Sequence, residues 1–549
     1  MMTSAFVQHG PRLVNSYTSN WLLKSYLERK LGPDLLASVE PELVELGQLA
    51  AGRLLEVQRA DRRNEPTLTQ WDAWGTRLDH IEPTPLWREA ERLAVRFGLT
   101  AIPYERKEGA WSRTRQFALV YLFHPVTDVY TCPLAMTDGA ARALLEANNA
   151  RLIERAVPHL TSRDLAQFWT SGQWMTESTG GSDVGLSRTI AQRDAAGVWR
   201  LYGKKWFTSA ATSQMALTLA RPEGNGAGGS GLAMFYLETR DSQGRPNGIR
   251  VERLKDKLGT RKVPTAELSL EGTVAELVGA TTHGTRSIEP MLKITRTWNS
   301  VCAAAFMQHG LALANDYARR RLVFGAMLAE QPLHGETLAE LEAETAGAFM
   351  LTFFLIELLG REEGGLLDED EAALLRFLTP IVKLATGKQA VRVVSETLEA
   401  FGGAGYVEDT GIPVLLRDTQ VLPIWEGTTN VLSLDALLRT DAERGLAALR
   451  GRMQSVAGGA GHGEFKKSAE AASAAVEHAA RWRSTVHDRT ALQAGARRFA
   501  MTLARALELG LLVEHGGAMR DETATTASRE ACRRLRRGGI DLIQDEESD

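Results

Sequence analysis

The hydrophobic pattern changes twice along the chain, and this order limits the folds that the chain can adopt. The first 165 or so residues, and those from 288 to about 440, repeat apolar side chains at spacings of three and four, which is typical of helices with one buried face. Between them, strand-like alternating runs such as Trp199–Tyr202 are separated by turn dipeptides such as Asn225-Gly226. Because strands and helices do not alternate, the pattern disfavours a doubly wound nucleotide-binding sheet.

We therefore predict an α+β fold that is mainly α and has four domains. These are an N-terminal helical domain (1–170), a β domain (171–285), a helical bundle (286–440) and an additional basic helical domain with an acidic tail (441–549). Asn64–Pro85 contains three prolines and is predicted as a loop. A literal GxGxxG at Gly226–Gly231 precedes a strand-like run rather than a helix, so we interpret it as a hairpin loop.

Composition excludes several classes of protein. Hydrophobic residues make up 44% of the 549 residues and charged residues 24%, which rules out a collagen-like or wholly disordered chain. Three scattered cysteines are too few for a disulfide framework or a metal cluster and suit a reducing compartment. No secretory signal is visible, and the most apolar stretch, Thr345–Ile356, is predicted as a buried core helix. We expect a soluble, cytoplasmic protein without a metal or a membrane.

The net charge of −4 hides a basic segment near the C-terminus. Gly445–Ile540 carries 14 Arg and two Lys against nine acidic residues, and four of these arginines form one cluster: Arg533, Arg534, Arg536 and Arg537. Such a face suits a polyanion, because neutralising phosphates releases counterions, and we predict sequence-nonspecific binding of double-stranded DNA. A solvated helix that faces another subunit is the open alternative, and the acidic residues of 541–549 would partly screen the cluster.

Five short segments carry candidate chemistry, although each has an ordinary structural alternative. Met175–Val184 (MTESTGGSDV) is a polar glycine turn whose amides could hold a phosphate. Lys204–Ser209 (KKWFTS) puts Trp206 two residues before Thr208, which on a regular strand would place both on one face. A plain polar turn and a half-exposed strand tryptophan are the alternatives.

The other three segments lie in the predicted helical bundle. They are Arg321–Gly325 (RLVFG), read as the end of a basic helix, Phe401–Tyr406 (FGGAGY) and Ile424–Asn430 (IWEGTTN). In the last, Glu426 is the single carboxylate of an apolar stretch, and desolvation raises a carboxylate's pKa towards the range of a general base. A Glu that caps a helix, or pairs with Arg417, is the alternative.

Taken together and in this order, the five segments resemble the motifs of the acyl-CoA dehydrogenase family. The resemblance covers roughly residues 103–439 and is greatest to the AidB-like branch, through WMTESTGGSDV, RLKDKLGTRKVPTAEL, FGGAGY and IWEGTTN. It implies an N-terminal helical domain, a β-barrel or β-sandwich, a helical bundle and an extra C-terminal helical domain. It also implies FAD as the cofactor, an acyl-CoA substrate and an electron-transfer flavoprotein as a possible acceptor.

The resemblance assigns roles residue by residue. Contacts to the flavin and pyrophosphate are implied for Met175, Thr176, Gly181 and Ser182; Trp206 and Phe207 would lie at the isoalloxazine, with Thr208 at its N5 side. Arg321 and Phe324 would reach the FAD of a neighbouring subunit in a homotetramer, and the adenosine and ribityl parts would be lined by Gly402, Gly403, Thr428 and Asn430. Glu426 stands at the position of the catalytic base, and Arg296 at that of an arginine near the thioester.

Three positions depart from the family's usual pattern, namely Ser178, Val323 and Glu399. They put in doubt which atoms hold the pyrophosphate. Three functions stay open: an acyl-CoA dehydrogenase, a DNA-binding flavoprotein of the alkylation response with little dehydrogenase activity, and a flavoprotein that sequesters acyl-CoA with little turnover.

Overall fold

The computed structural model describes residues 9–544. The helices are α1 (Trp21–Ala51), α2 (Arg53–Asp61), α3 (Pro85–Arg96), α4 (Ile102–Glu105), α5 (Ser112–Phe123), α6 (Thr131–Ala147), α7 (Ala150–Leu160), α8 (Gly284–Ser287), α9 (Glu289–Ala318), α10 (Pro332–Glu363), α11 (Glu369–Ala400), α12 (Pro413–Thr419), α13 (Thr429–Leu438), α14 (Ala442–Gly459), α15 (Glu464–Thr485), α16 (Arg489–Ala518) and α17 (Glu522–Arg537). The strands are β1 (Thr67–Trp71), β2 (Arg77–Glu82), β3 (Ser171–Trp174), β4 (Ile190–Arg193), β5 (Trp199–Thr208), β6 (Met215–Pro222), β7 (Ala233–Glu238), β8 (Ile249–Leu254), β9 (Ala266–Leu277), β10 (Leu322–Val323) and β11 (Ala326–Met327).

The chain forms two compact units. The helical unit comprises Met1–Glu56, Glu108–Pro125 and Asn299–Asp549, and the barrel unit comprises Val57–Lys107 and Val126–Trp298. The mainly helical α+β prediction is confirmed. The four predicted domain boundaries stay a prediction, because the two units gather segments from several of those domains.

A closed ring of strands forms the centre of the barrel unit. Its seven-stranded sheet runs in the order β3-β6-β4-β5-β9-β7, with β8 paired to β9. Strand β6 also pairs antiparallel with β7, with Leu217 opposite Tyr236, which closes β6, β4, β5, β9 and β7 into a barrel. Alternating side chains such as Leu201, Phe235 and Leu268 fill its core. The predicted β-barrel is therefore present.

The prediction of a loop at Asn64–Pro85 is wrong. The segment contains an antiparallel hairpin of β1 and β2, with Thr67 opposite Glu82. The turn forms because the Asp72 carboxylate accepts 2.8 Å hydrogen bonds from the backbone N–H groups of Trp74 and Thr76. The prolines lie outside both strands, where they interrupt no strand pairing.

Helix α10 forms the apolar centre of the helical unit and confirms the predicted buried core helix around Thr345–Ile356. It is long and apolar enough to cross a membrane, but 89% of its most apolar window is buried within the fold. Phe349 and Phe353 stack 4.3 Å apart between ring centroids, and Tyr26 meets Phe349 edge-on. Burial of this kind is typical of a core helix.

A buried acidic side chain lies where α10, α11 and α16 meet. The Glu508 carboxylate is buried beside Glu344. The side-chain amide of Gln389 donates to both carboxylates, at 3.2 Å to Glu508. Arg505 lies within 3.6 Å of Glu344. Burial, followed by the charge of Glu344, raises the pKa of Glu508 to about 8. At neutral pH the folded chain therefore keeps a proton on Glu508.

We expect Glu508→Gln to stabilise the chain at pH 8.5, on the order of 3 kcal/mol, and to change stability little at pH 5. Because the folded-state pKa is raised, stability contributed at this site falls as pH rises from the ordinary carboxyl range towards 8. Thermal unfolding of both proteins across that window measures the effect. The exposed Glu470→Gln on α15 is the control, and an equal gain for the two variants at pH 8.5 would contradict the prediction.

Candidate functional site

The glycine turn at Met175–Val184 follows β3 and runs beside β5. The backbone N–H of Trp206 donates to the Thr176 carbonyl over 3.0 Å, which joins the first two motif segments. After the buried Glu177, Ser178 and the residues from Gly180 to Asp183 are exposed. The structure thus brings together, in the barrel unit, the residues predicted to contact the flavin and pyrophosphate.

A fully buried ion pair between Lys205 and Glu177 anchors this turn to the barrel. Lys205 Nζ lies 2.9 Å from Glu177 Oε1 and also donates to the Leu219 carbonyl at 2.9 Å. Glu177 accepts further hydrogen bonds from the Thr189 hydroxyl at 2.6 Å and the Arg188 N–H at 2.7 Å. Burial alone would raise the pKa of Glu177, but the Lys205 charge and these hydrogen bonds hold that pKa below its ordinary value.

The turn offers hydrogen-bond donors that fit the pyrophosphate and polar edge of FAD. Gly181 and Ser182 are exposed, and the Thr179 hydroxyl is buried without a hydrogen-bond partner among residues 9–544. A Cβ on Gly181 would lie 2.7 Å from Thr176 Oγ1, so only glycine fits there without a shift. The residues present therefore suit the cofactor that the motifs predict.

The prediction that Trp206 and Thr208 share one face by simple alternation is wrong. A β-bulge interrupts the pairing of β5 with β9 between Lys205 and Thr208, so the alternation is broken there. Trp206 is half-buried with the Lys255 ammonium 3.5 Å from its ring centroid, and Phe207 is 54% exposed. Thr208 is buried, and its hydroxyl donates to the Ala266 carbonyl over 2.6 Å.

In the helical unit, Glu426 is half-buried in the turn between α12 and α13. Its φ is 58°, a left-handed backbone that costs a residue with a Cβ about 1 kcal/mol or more. The Lys383 ammonium donates to the carbonyls on either side, at 2.6 Å to Trp425 and 2.7 Å to Gly427. Glu426 therefore lies in a turn whose backbone is held by the Lys383 ammonium.

The other predicted FAD contacts of this unit lie at helix ends. Gly402 and Gly403 follow the C-terminus of α11, where both are exposed and a Cβ would meet nothing within 4 Å. Thr428 is the N-cap residue of α13 and Asn430 lies in its first turn, both exposed. Helix α11 links the two places, since Lys383 lies along it and Gly402 just after it.

The prediction that RLVFG ends a helix is wrong. Helix α9 stops at Ala318, and β10 and β11 form a short hairpin. The two residues between these strands, Phe324 and Gly325, both have positive φ, which a right-handed helix does not allow. Phe324 is 98% exposed and Arg321 half-buried. Arg296 lies half-buried on α9 in the barrel unit.

The predicted DNA-binding arginines lie on α17 and are largely engaged within the chain. Arg533 pairs with Glu530, Arg534 with Glu336, and Arg536 with Glu464. Arg537 is exposed. The acidic residues after 544 lie outside the described residues, so their predicted screening of this cluster has no structural account.

Sequence reasoning missed the residues that hold these motifs in place. Lys383 and Asn299 support the Glu426 turn, and Glu177 with Lys205 supports the glycine turn. Glu177 and Lys205 lie inside the quoted motifs, but their neighbours Ser178 and Lys204 are exposed, so no buried run marked the pair. Lys383, in PIVKLATG, did carry a signal, since it is the single charge of an apolar helical stretch.

Comparison with known proteins is consistent across the chain. The model of the acyl-CoA dehydrogenase C-terminal domain matches residues 282–439, that of the middle domain 172–273, and that of the adaptive response protein AidB N-terminal domain 11–166. Acyl-CoA dehydrogenase family member 11 of Caenorhabditis elegans is 41% identical over 530 residues, covering 93% of this chain and 86% of the relative.

Two further relatives agree with these matches. The putative acyl-CoA dehydrogenase AidB of Escherichia coli K12 is 32% identical and covers 75% of each chain. The crystal structure of C. elegans ACDH-11 in complex with C11-CoA has a TM-score of 0.94 and 38% identity, covering 100% of this chain and 94% of that one. The chain therefore belongs to the acyl-CoA dehydrogenase family, as an enzyme with an AidB-type N-terminal domain, and this confirms the family and the FAD cofactor that its motifs predict.

Proposed function

We propose that the chain catalyses the α,β-desaturation of an acyl-CoA thioester with Glu426 as the general base. The observation that carries the proposal is the Glu426 turn, where a single carboxylate projects from a backbone fixed on both sides by Lys383. Family membership and the C11-CoA complex of the C. elegans neighbour support an acyl-CoA substrate.

The protein's part in this reaction is to bind, orient and move one proton. FAD would be held by the glycine turn, by Trp206, Phe207 and Thr208, and by the exposed glycines after α11 together with Thr428 and Asn430. When bound, it supplies the acceptor for a hydride. The Glu426 carboxylate removes the α-proton, the β-hydrogen leaves as hydride, and a trans-2-enoyl-CoA forms. Arg296 would lie near the thioester.

Anaerobic titration of the purified FAD-loaded protein tests the reaction. A panel of acyl-CoA substrates that includes the C11 ligand of the neighbour is added, and flavin absorbance is followed. We expect bleaching with at least one substrate. If stoichiometric binding occurs without bleaching, acyl-CoA sequestration replaces dehydrogenation as the function, and absence of both rejects the substrate class.

We further propose that the protein is cytoplasmic and passes its electrons to an electron-transfer flavoprotein. We also propose a homotetramer in which Arg321 and Phe324 contact the FAD of a neighbouring subunit. The support for this shared site is the Phe324 side chain, which is almost wholly exposed at the tip of the β10–β11 hairpin. Light scattering after size exclusion gives the mass of the assembly. A monomer that retains FAD with native affinity would contradict the shared site.

A DNA-associated role is the second proposed function, and the charge of residues 445–540 favours it. Two arginines of α16, Arg497 and Arg498, are exposed and make no ion pair with the described residues, and Arg537 is exposed near Glu336. Free guanidinium groups bind phosphates more readily than those already engaged by carboxylates. We therefore extend the predicted patch from the α17 cluster to these two residues.

We expect Arg497, Arg498 and Arg537 changed together to Gln to weaken binding of a labelled duplex about 10-fold or more at 50 mM salt. Fluorescence anisotropy at 50 and 200 mM salt measures the affinity and its salt dependence. Arg450→Gln, which removes an arginine paired with Glu477, is the control. Absence of binding at low salt, or binding that ignores salt, would reject the DNA role.

A further inference from the structure

We propose that Lys383 is a positioning residue that fixes the direction of the Glu426 side chain from α11, and that Asn299 on α9 assists it. This inference rests on the proposed function, in which Glu426 is the base. The helical unit supplies all the residues involved.

The contacts of Lys383 are specific to the turn that carries Glu426. Its side chain is fully buried, and its ammonium donates to the carbonyls of the two residues next to Glu426, at 2.6 Å to Trp425 and 2.7 Å to Gly427. Hydrogen bonds from a charged donor are shorter and stronger than neutral ones, more so away from water. The first carbonyl lies in the peptide plane that precedes the Glu426 Cα, and the second lies one plane beyond the one that follows it, so the two bonds restrain the turn on both sides of Glu426.

Asn299 contacts the same turn at the Trp425 side chain and at the Leu422 carbonyl. The Trp425 indole N–H donates to Asn299 Oδ1, and Asn299 Nδ2 donates to the Leu422 carbonyl at 3.2 Å. The turn is thus held at Leu422, Trp425 and Gly427, on both sides of Glu426. These contacts use backbone carbonyls and the Trp425 indole, so they hold the backbone of the turn.

A glycine one turn along α11 allows this close approach. A Cβ on Gly387 would lie 3.2 Å from the Leu422 carbonyl oxygen and 3.3 Å from the Pro423 nitrogen, tighter than ordinary contacts. Lys383 and Gly387 lie on the same face of the helix, four residues apart. Gly387 therefore leaves room for the turn to approach α11, and Lys383 on the same face reaches the carbonyls of that turn.

The positive φ of Glu426 explains why such support is needed. A left-handed conformation at a residue with a Cβ persists only when its surroundings impose it. Without the ammonium, we expect the peptide planes that carry the Trp425 and Gly427 carbonyls to rotate and the Glu426 carboxylate to move. A general base acts only within hydrogen-bond reach of its proton, so small displacements lower the rate strongly.

Kinetics and hydrogen exchange of the FAD-loaded holoenzyme test the inference together. We expect Lys383→Met to lower the limiting rate of flavin reduction about 100-fold with substrate affinity changed less than threefold, and to increase the isotope effect of an α-deuterated substrate. Lys388→Met, on the same helix, should behave as the wild type. In exchange followed by mass spectrometry, amides of 421–430 should exchange at least 10-fold faster in Lys383→Met than in Lys388→Met.

The outcomes separate the two proposals. If Glu426→Gln reduces flavin at the wild-type rate, the base assignment fails, while exchange at 421–430 still reports whether Lys383 holds the turn. If Glu426→Gln is inactive but Lys383→Met keeps the wild-type rate or the wild-type exchange, the positioning role is overturned. Trp425→Phe removes only the indole hydrogen bond to Asn299, keeps the Asn299 bond to the Leu422 carbonyl, and supplies a milder variant should Lys383→Met not fold. Unchanged exchange at 421–430 in that variant would overturn the part of the Asn299 role that acts through Trp425.

Discussion

Glu426→Gln is expected to lower the rate of acyl-CoA oxidation about 1000-fold or more while leaving FAD bound. The amide keeps the size and the backbone of the glutamate but cannot accept the α-proton, and positioned bases contribute rate factors of roughly 100 to 10,000. Stopped-flow absorbance under anaerobic conditions measures flavin reduction directly. The flavin spectrum of the oxidised variant reports cofactor retention in the same sample.

The matched control for this variant is Glu443→Gln, at an exposed glutamate in the first turn of α14. It makes the same chemical change away from the turn that carries Glu426 and should retain the wild-type rate. Flavin reduction by Glu426→Gln within a few-fold of the wild type would remove Glu426 as the base. A variant that loses FAD altogether would show instead that the carboxylate is needed for the site to form.

Lys205→Met is expected to destabilise the chain by about 3–5 kcal/mol and to release FAD. The change leaves the Glu177 carboxylate buried without its cation, and a buried charge that loses its partner is costly. Glu177 also bonds to Thr189 and Arg188, so the disturbance should reach the glycine turn. Thermal unfolding and the ratio of flavin to protein absorbance measure both effects.

Lys204→Met is the control, because Lys204 is the exposed neighbour of Lys205 on β5. The double variant Glu177→Gln with Lys205→Met should recover part of the loss, since no unpaired charge then remains. Because the folded-state pKa of Glu177 is lowered, the stability that it contributes is present above its ordinary pKa and is lost as pH falls below that range. Equal unfolding temperatures for Lys204→Met and Lys205→Met would contradict the prediction.

The order of elements could be predicted from the sequence because hydrophobic periodicity reports which faces are buried. The strand run quoted for its alternation, Trp199–Tyr202, lies within β5. The β1–β2 hairpin could not be found this way, since its turn depends on the Asp72 carboxylate binding two amides rather than on a hydrophobic pattern. Proline content alone predicted a loop in its place.

The candidate site was predicted in part, because its motifs are local and their supports are distant. Glu426 and the glycine turn are recognisable as short segments, whereas Lys383 reaches the Glu426 turn from 43 residues earlier and Asn299 from a separate helix. Strand alternation placed Trp206 and Thr208 on one face because a bulge has no reliable sequence signal. RLVFG was predicted as the end of a helix for a similar reason, since the positive φ values of Phe324 and Gly325 cannot be read from a helical pattern.

The left-handed backbone at Glu426 also limits which residues could ever replace it. Asn, Asp and Gly adopt that conformation most readily, whereas Val, Ile and Thr are strongly disfavoured there. If a related protein lost proton abstraction and kept only ligand binding, few uncharged residues could therefore replace Glu426 without changing the turn. Asparagine or glycine at position 426 in such a chain would mark lost chemistry with the turn preserved, while a β-branched residue would mark a rebuilt turn.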